Sequence, residues 1–228
     1  MAKFACLSDT HMQMDRIEIP PCDVVLHAGD FSYRGEMPEC LNELKILKNR
    51  ANAAGASIVI VTPGNHDWVF QYNTEYMKDE CRKLGIHLLM HEPMILKMGD
   101  RDYKVFGSPY QPEFFDWAFN LPRGPQLAAK WAEIPDDTEI LITHSPPHLI
   151  LDRIPDHCVK LGGPNRTAFV GCEDLATRLP QLNKLRLHVF GHNHFSAGRL
   201  DAMGKVFVNA SCCDEKYRPH NKPIIIEL

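Results

Sequence analysis

Five short motifs place carboxylate, amide and imidazole side chains close together along the chain. They are Asp9-Thr10-His11, Gly29-Asp30, Gly64-Asn65-His66-Asp67, His144 and Gly191-His192-Asn193-His194. In Asp-x-His and His-x-His the two outer side chains point the same way when the backbone is extended. This mixture of oxygen and nitrogen ligands suits Mn, Fe, Zn, Co or Ni, whereas magnesium and calcium prefer oxygen alone.

The candidate ligands are too many for one tetrahedral ion. They are Asp9, His11, Asp30, Asn65, His144, His192 and His194. They fit two ions that share one carboxylate, an arrangement that stabilises both the attacking and the leaving oxygen of an in-line displacement. Taken singly the motifs are weak, because Gly-Asp and Gly-Asn are also ordinary turn signals. Their joint occurrence indicates a two-metal site.

Each motif directly follows a short apolar run that predicts a strand. These runs are Lys3–Leu7, Asp23–His27, Ser57–Val61, Glu139–Thr143 and Leu185–Phe190. Continuous apolar runs are typical of strands buried on both faces. Ligand sites in open α/β sheets collect at the carboxyl ends of strands. We therefore expect the five motifs to meet at one place.

Helices and hairpins are predicted between these strands. The helices cover Pro38–Ala54, Thr74–Leu84, Pro125–Ala132 and Glu173–Leu179, and the hairpins turn at 98–101 and 201–204, before a closing strand at Ile224–Glu227. Hairpins imply antiparallel pairs, so the sheets should be mixed. Two long loops, Ser108–Gly124 and Ile154–Thr167, are candidates for a functional role. We expect one domain over residues 1–228.

Composition restricts the partners. The net charge is −4 and no Lys/Arg block is present, which makes nucleic acid an unlikely main partner. No run approaches the length of a membrane span and no signal h-region precedes Ser8, so we expect a cytoplasmic protein without a membrane partner. None of the eight cysteines forms Cys-x-x-Cys, which indicates reduced, packed thiols. A redox role for the adjacent Cys212 and Cys213 stays open.

The order of the motifs resembles the signature of the calcineurin-like metallophosphoesterase superfamily. Further segments resemble its brain-type branch of metallophosphoesterase-domain-containing proteins, namely Ala28–Phe31, Gly107–Pro109, Phe119–Gly124, Lys130-Trp131, Thr143–Pro147 and Leu187–Gly191. The resemblance covers nearly the whole chain. It implies a four-layer α/β/β/α sandwich, with two mixed β-sheets face to face and helices outside.

The resemblance also implies roles for individual residues. One ion would take Asp9, His11, Asp30 and His194, and the other Asp30, Asn65, His144 and His192. His66 would be the catalytic histidine, and Asp67 would orient it by accepting its other ring hydrogen. Asn65 and His66 would hold phosphate oxygens. Arg123 suits phosphate recognition and could equally pin the long loop.

The implied reaction is hydrolysis of a phosphate ester by a metal-bridging hydroxide, with two divalent ions, manganese foremost. The brain-type resemblance favours small phosphodiesters, cyclic nucleotides among them. A phosphomonoesterase or protein phosphatase of the same fold is the alternative within enzymes. A metal-binding regulatory scaffold is the alternative outside them, and the presence of His66 and His192 argues against it. The remaining histidines inside apolar runs, His27 and His188, are interpreted as hydrogen-bonded core residues.

Overall fold

The computed structural model describes residues 1–161 and 167–228. Its strands are β1 (Lys3–Leu7), β2 (Val24–His27), β3 (Ile58–Val61), β4 (His87–Leu88), β5 (Glu92–Met98), β6 (Arg101–Ser108), β7 (Gln111–Pro112), β8 (Asn120–Leu121), β9 (Ile140–Thr143), β10 (Leu187–Phe190), β11 (Gly198–Ala202), β12 (Lys205–Asn209) and β13 (Ile224–Glu227). Its helices are α1 (Met37–Ala53), α2 (Trp68–Tyr72), α3 (Thr74–Lys83), α4 (Pro125–Ala132), α5 (Asp156–Leu161) and α6 (Glu173–Arg178). The predicted strands and helices are all present, with small shifts at their ends.

The structure adds elements that the sequence patterns do not predict. Helix α2 begins directly after the Gly64–Asp67 motif, and β4 is a short edge strand. Both are too short to show a hydrophobic period. The two predicted long loops contain short elements, because β7 pairs with β8 in the first and α5 lies in the second. Residues 162–166 of the second predicted loop lie outside the described residues.

Two large mixed sheets carry the fold. The first has the order β13-β1-β2-β3-β4, and the second has the order β11-β12-β10-β9-β6-β5. In the first sheet β1, β2, β3 and β4 are parallel, and in the second β12, β10, β9 and β6 are parallel. The remaining strands, β13, β11 and β5, pair antiparallel at the edges. The parallel strands end at a common edge of each sheet.

Three apolar clusters separate four layers. Alternate residues of β1 show why: Phe4 faces the second sheet, whereas Ala5 faces the helices on the outer side. The middle cluster packs the two sheets against each other, and α4 and α6 cover the far side of the second sheet through residues such as Trp131. The predicted four-layer α/β/β/α sandwich is confirmed. Burial on both faces accounts for the continuous apolar strands.

Candidate metal centre

The polar motifs converge where the parallel strands of both sheets end. Atoms able to bind a metal on Asp9, His11 and His194 lie within 4.8 Å of one another. Those on Asp9, Asp30 and His144 also lie within 4.8 Å of one another. Strands β1, β2, β9 and β10 directly precede these residues. The two sheets therefore contribute to a single centre.

The first group consists of acceptors that face one another. Nδ1 of His11 donates to the carbonyl of Ser32 at 3.1 Å, and Nδ1 of His194 donates to the carbonyl of Asp214 at 2.8 Å. Because a carbonyl only accepts, each ring keeps an unprotonated Nε2 when neutral. These two Nε2 atoms are 3.3 Å apart, and Nε2 of His194 is 3.1 Å from Oδ1 of Asp9. Such close acceptors repel one another unless a proton or a metal ion lies among them. Burial acts to lower the pKa of His194, but the Asp9 carboxylate outweighs it and raises that pKa, so a metal here competes with a proton.

Acceptor atoms also face one another around His144, together with Asp30, Asn65 and His192. Nδ1 of His144 donates to the carbonyl of Ala28 at 2.8 Å, which leaves its Nε2 as an acceptor in the neutral ring. The side-chain oxygen of Asn65 is 2.8 Å from this Nε2 and 2.8 Å from Nδ1 of His192. Oδ2 of Asp30 is 3.4 Å from the same Nε2. Two ligands about 2.1 Å from a shared ion lie roughly 3 Å apart, so these spacings suit a metal.

Asp30 lies between the two groups. Its Oδ2 is 3.7 Å from Nε2 of His11 and 3.4 Å from Nε2 of His144. Its Oδ1 accepts a hydrogen bond from the main-chain N–H of His66 at 2.8 Å, which fixes the carboxylate. Asp30 therefore occupies the position that a shared, bridging carboxylate would take.

The backbone at the centre is strained. Asp9, His11, Asp30 and His192 all have positive φ, at 51°, 38°, 57° and 66°. Each left-handed residue of this kind costs about 1–2 kcal/mol, and such residues cluster at functional sites. A Cβ at Gly191 would overlap Oδ2 of Asp9, which explains why glycine precedes His192. Gly191 thus allows the backbone before His192 to pack closely against Asp9.

Burial and charge set the protonation of the imidazoles. Burial lowers the pKa of His11 to about 4 and that of His192 to about 3. Burial also acts to lower the pKa of His144, but the Asp30 carboxylate outweighs it and raises that pKa to about 9. His11 and His192 are consequently neutral near pH 7, as ligands must be, whereas a metal at His144 must displace a proton.

The imidazole of His66 is held by contacts other than the predicted one. Its Nδ1 donates to the carbonyl of Tyr33 at 2.7 Å, so the expectation that Asp67 accepts this ring hydrogen is wrong. The indole of Trp117 stacks on the ring, with centroids 4.0 Å apart and planes 29° apart. His66 borders the open space above the centre, and its Nε2 is the ring nitrogen left for other partners.

The carboxylate of Asp67 ties the second and third motifs together. It accepts from the main-chain N–H of Gly64 at 2.9 Å and of Asp30 at 2.8 Å, and from Oγ of Ser32 at 2.9 Å. A fully buried carboxylate needs several donors, and these neighbouring amides supply them. Burial, with the nearby charge of Asp30, raises the pKa of Asp67 to about 6. Asp67 therefore shapes the loop that carries Asp30.

A cavity of about 470 Å³ opens above the centre. Its walls include the aromatic residues Phe114, Phe115, Phe169, Phe195 and Tyr217. Arg123 also borders it, but its guanidinium donates to the carbonyls of Val170 at 3.0 Å and Gly171 at 2.8 Å and pairs with Glu173. These contacts agree with the alternative role of Arg123, in which it fixes the long loop. Phosphate recognition by Arg123 stays a prediction.

Comparison with known proteins decides the family. A family model described as calcineurin-like phosphoesterase matches residues 2–196. The chain is 36% identical over 245 residues to metallophosphoesterase domain-containing protein 1 of Homo sapiens and of Mus musculus, covering 99% of this chain and 71% of each relative. The chain belongs to the calcineurin-like phosphoesterase family.

A solved structure supports the fold of this phosphoesterase. The phosphopantetheinyl hydrolase of Mycobacterium tuberculosis aligns with a TM-score of 0.62 and 17% identity, covering 97% of this chain and 95% of that chain. At this identity the likeness concerns the fold alone. Among the described residues no helix is both long and apolar enough to cross a membrane.

Several residues around the centre of the phosphoesterase have no signal in the sequence. Oγ of Ser211 donates to Oδ2 of Asp9 at 2.8 Å. The rings of Tyr217 and His11 have centroids 4.4 Å apart, and Trp117 stacks on His66 as described. These residues follow no motif and lie far along the chain from their partners. Only the packing of the two sheets brings them to the centre.

The two histidines inside apolar strands each have a hydroxyl group as a partner. Nε2 of His27 lies 3.2 Å from Oγ1 of Thr10, and Nε2 of His188 lies 2.9 Å from Oγ1 of Thr143, in line with the core interpretation of both histidines. All eight cysteines are free thiols. Burial raises the pKa of Cys212 to about 12, which leaves little thiolate at neutral pH.

Proposed function

We propose that this phosphoesterase hydrolyses small phosphodiesters, as a single domain over residues 1–228, with two divalent ions per chain and manganese as the preferred metal. The observation that carries the proposal is the convergence of the ring nitrogens of His11 and His144 on both sides of Oδ2 of Asp30. The nitrogen-rich set favours Mn, Fe, Zn, Co or Ni over magnesium and calcium. Two such ions supply an activated water and offset charge on the phosphoryl oxygens.

The chain's own residues hold the substrate and move a proton. Asn65 and His66 border the floor of the cavity, where they can donate to phosphate oxygens. Since Nδ1 of His66 is engaged by the carbonyl of Tyr33, Nε2 of the protonated ring is left to donate to the leaving oxygen. Stacking on Trp117 restricts rotation of the ring. The leaving alcohol thus departs protonated.

The size of the cavity and the charge of the protein favour small diesters as substrates. A cavity of about 470 Å³ is in the range of small-molecule sites. Among the described residues that line it, Arg123 is the one lysine or arginine, and it is paired with Glu173. With a net charge of −4, the protein has little to hold a long polyanion. The aromatic walls can receive the second ester group of a diester, including the base of a cyclic nucleotide.

The deciding experiment compares kcat/KM for four substrates at the same manganese and salt concentrations. They are an aryl phosphodiester, its monoester, a cyclic nucleotide and a single-stranded oligonucleotide. We expect the diesters to lead by tenfold or more, about 1.4 kcal/mol of transition-state stabilisation. A monoester leading by that factor would favour the phosphomonoesterase alternative. No hydrolysis of any substrate by metal-loaded protein would favour the regulatory scaffold.

A further inference from the structure

Two phenylalanines, Phe114 and Phe115, form an aromatic lip on the cavity above the metal centre. The ring of Phe114 meets the imidazole of His192 edge-on, with centroids 5.1 Å apart and planes 88° apart. The two phenylalanine rings then contact each other, with centroids 4.7 Å apart and planes 72° apart. Phe115 is 78% exposed. The lip therefore runs from a candidate metal ligand to solvent.

The backbone holds Phe115 in this exposed position at a cost. Its φ is 49°, a left-handed conformation that is unfavourable for a bulky side chain. Burial of the ring does not offset this cost, because the ring is largely in water. Strain of this kind persists where surrounding contacts enforce it, and it commonly marks functional sites.

Asn120 supplies the contacts that enforce the conformation. Its Nδ2 donates to the carbonyl of Phe115 at 2.8 Å, and its Oδ1 accepts from the main-chain N–H of Phe114 at 3.3 Å. Nε2 of Gln111 donates to the same Oδ1 at 3.0 Å. Hydrogen bonds of two side-chain amides thus fix the lip outside the hydrophobic core. The loop is organised to present an apolar ring to the cavity.

An apolar wall borders the same cavity as the lip. Ile154, Phe169 and Val170 line it, and Arg123 anchors the chain there through the carbonyl of Val170 at 3.0 Å. The cavity floor contains Asn65, His192 and His194. A diester bound through its phosphate at this floor has two ester groups, and one of them must extend between the apolar walls.

We propose that Phe115 is the specificity-determining residue for the retained ester group, and that it favours groups carrying a flat, apolar ring. This inference rests on the proposed phosphodiester hydrolysis. A ring stacked on Phe115 removes apolar surface of both partners from water and adds an aromatic contact. A methyl group has no flat face to stack on the lip and gains nothing from it.

The test uses two diesters with one leaving group, p-nitrophenol, and different retained groups, methyl or phenyl. We expect wild-type kcat/KM to be roughly tenfold higher for the phenyl diester, equivalent to ~1.4 kcal/mol. Phe115→Ala should lose most of this preference while its rate on the methyl diester stays within about twofold. Phe115→Tyr, which keeps the ring, should retain the preference. Tyr76→Ala removes another exposed aromatic side chain, 47% exposed and outside the cavity lining, and should change neither rate.

Other outcomes overturn the inference. An equal fall on both diesters in Phe115→Ala would indicate a structural role, and an unchanged preference would show that the lip is not used. In both cases phosphodiester hydrolysis itself would stand. If the metal-loaded wild type hydrolyses neither diester, the proposed function fails and the inference fails with it.

Discussion

The ring orientation of three of the four candidate ligand histidines depends on a main-chain carbonyl. His11, His144 and His194 all donate Nδ1–H to such a carbonyl, and each therefore turns Nε2 toward the centre. The same contact selects the tautomer and increases the basicity of the ligating nitrogen. Because the acceptors belong to the backbone, side-chain substitution at Ala28 or Ser32 leaves the contact itself in place. The precision of the site is thus a property of the folded main chain.

His66→Ala separates catalysis from metal binding. We expect turnover to fall by ~10²–10⁴-fold, the usual contribution of a general acid, with the metal content unchanged. The check is the steady-state rate together with metal analysis of the same preparation, with the exposed His87→Ala as control. Loss of metal in parallel with rate would make His66 a ligand instead.

Asp67→Ala tests the role that the structure gives this carboxylate. Its removal leaves the buried main-chain N–H groups of Gly64 and Asp30 without this acceptor and removes the short hydrogen bond of the Ser32 hydroxyl. We expect a loss of about 3–5 kcal/mol in the free energy of unfolding, with weaker metal binding because the Asp30 loop loses its anchor. Urea unfolding and metal titration measure both. A variant with wild-type stability and metal affinity but slow turnover would restore the orienting role toward His66.

At the scale of the element, helix α1 covers the outer face of the first sheet with one buried side. Leu44, Leu47 and Ala51 on this side belong to the outer apolar cluster. Glu43 lies on the same side and is 2% exposed, with its Oε2 accepting from the main-chain N–H of Met14 at 3.2 Å. Burial raises the pKa of Glu43 to about 7 from an ordinary value of 4.5. The helix therefore carries a carboxyl group that favours its protonated form.

Glu43→Gln is expected to raise stability at about pH 8 and not at about pH 4. The folded-state pKa lies above the unfolded one, so the folded chain binds this proton more tightly, and stability falls as pH rises from 4.5 to about 7. Glutamine removes that loss, by at most about 3 kcal/mol. Urea unfolding of both proteins across this pH range measures it, with the exposed Glu75→Gln of α3 as control. A stability difference independent of pH would contradict the assignment.

At the scale of the whole molecule, the candidate centre joins the two sheets. Asp9, Asp30 and Asn65 follow strands of the first sheet, whereas His144 and His192 follow strands of the second. Without metal ions, the repulsion between their acceptor atoms is offset by protons, such as the one that the Asp30 carboxylate favours on His144. Bound ions would take the place of these protons and so connect both halves of the sandwich.

Metal removal is accordingly expected to lower the melting temperature of the whole domain. A ligand at 100 times its Kd stabilises the folded state by about 2.7 kcal/mol per site. Differential scanning calorimetry before and after chelation measures the shift, and manganese should restore it with two ions per chain. A restored transition with at most one bound ion would contradict the bridging role of Asp30.

The sequence by itself determined that the strands are buried on both faces and that the motifs meet. Apolar runs such as Lys3–Leu7 need cover on both faces, and polar residues after parallel strands collect at one edge. These are local properties that a sequence records directly. The seven candidate ligands could be named for that reason before any contact was known. The four-layer arrangement was implied by the family resemblance of the motifs.

Only the tertiary structure decided which partners orient the site. The family resemblance implied that Asp67 accepts a ring hydrogen of His66. In the structure the main-chain N–H of Asp30, a residue with positive φ, donates to Asp67, and the carbonyl of Tyr33 accepts from His66. The stacking of Trp117 and the outward ring of Phe115 likewise depend on where a long loop returns to the centre. Contacts between distant segments follow from the packing of whole sheets, which no spacing along the chain records.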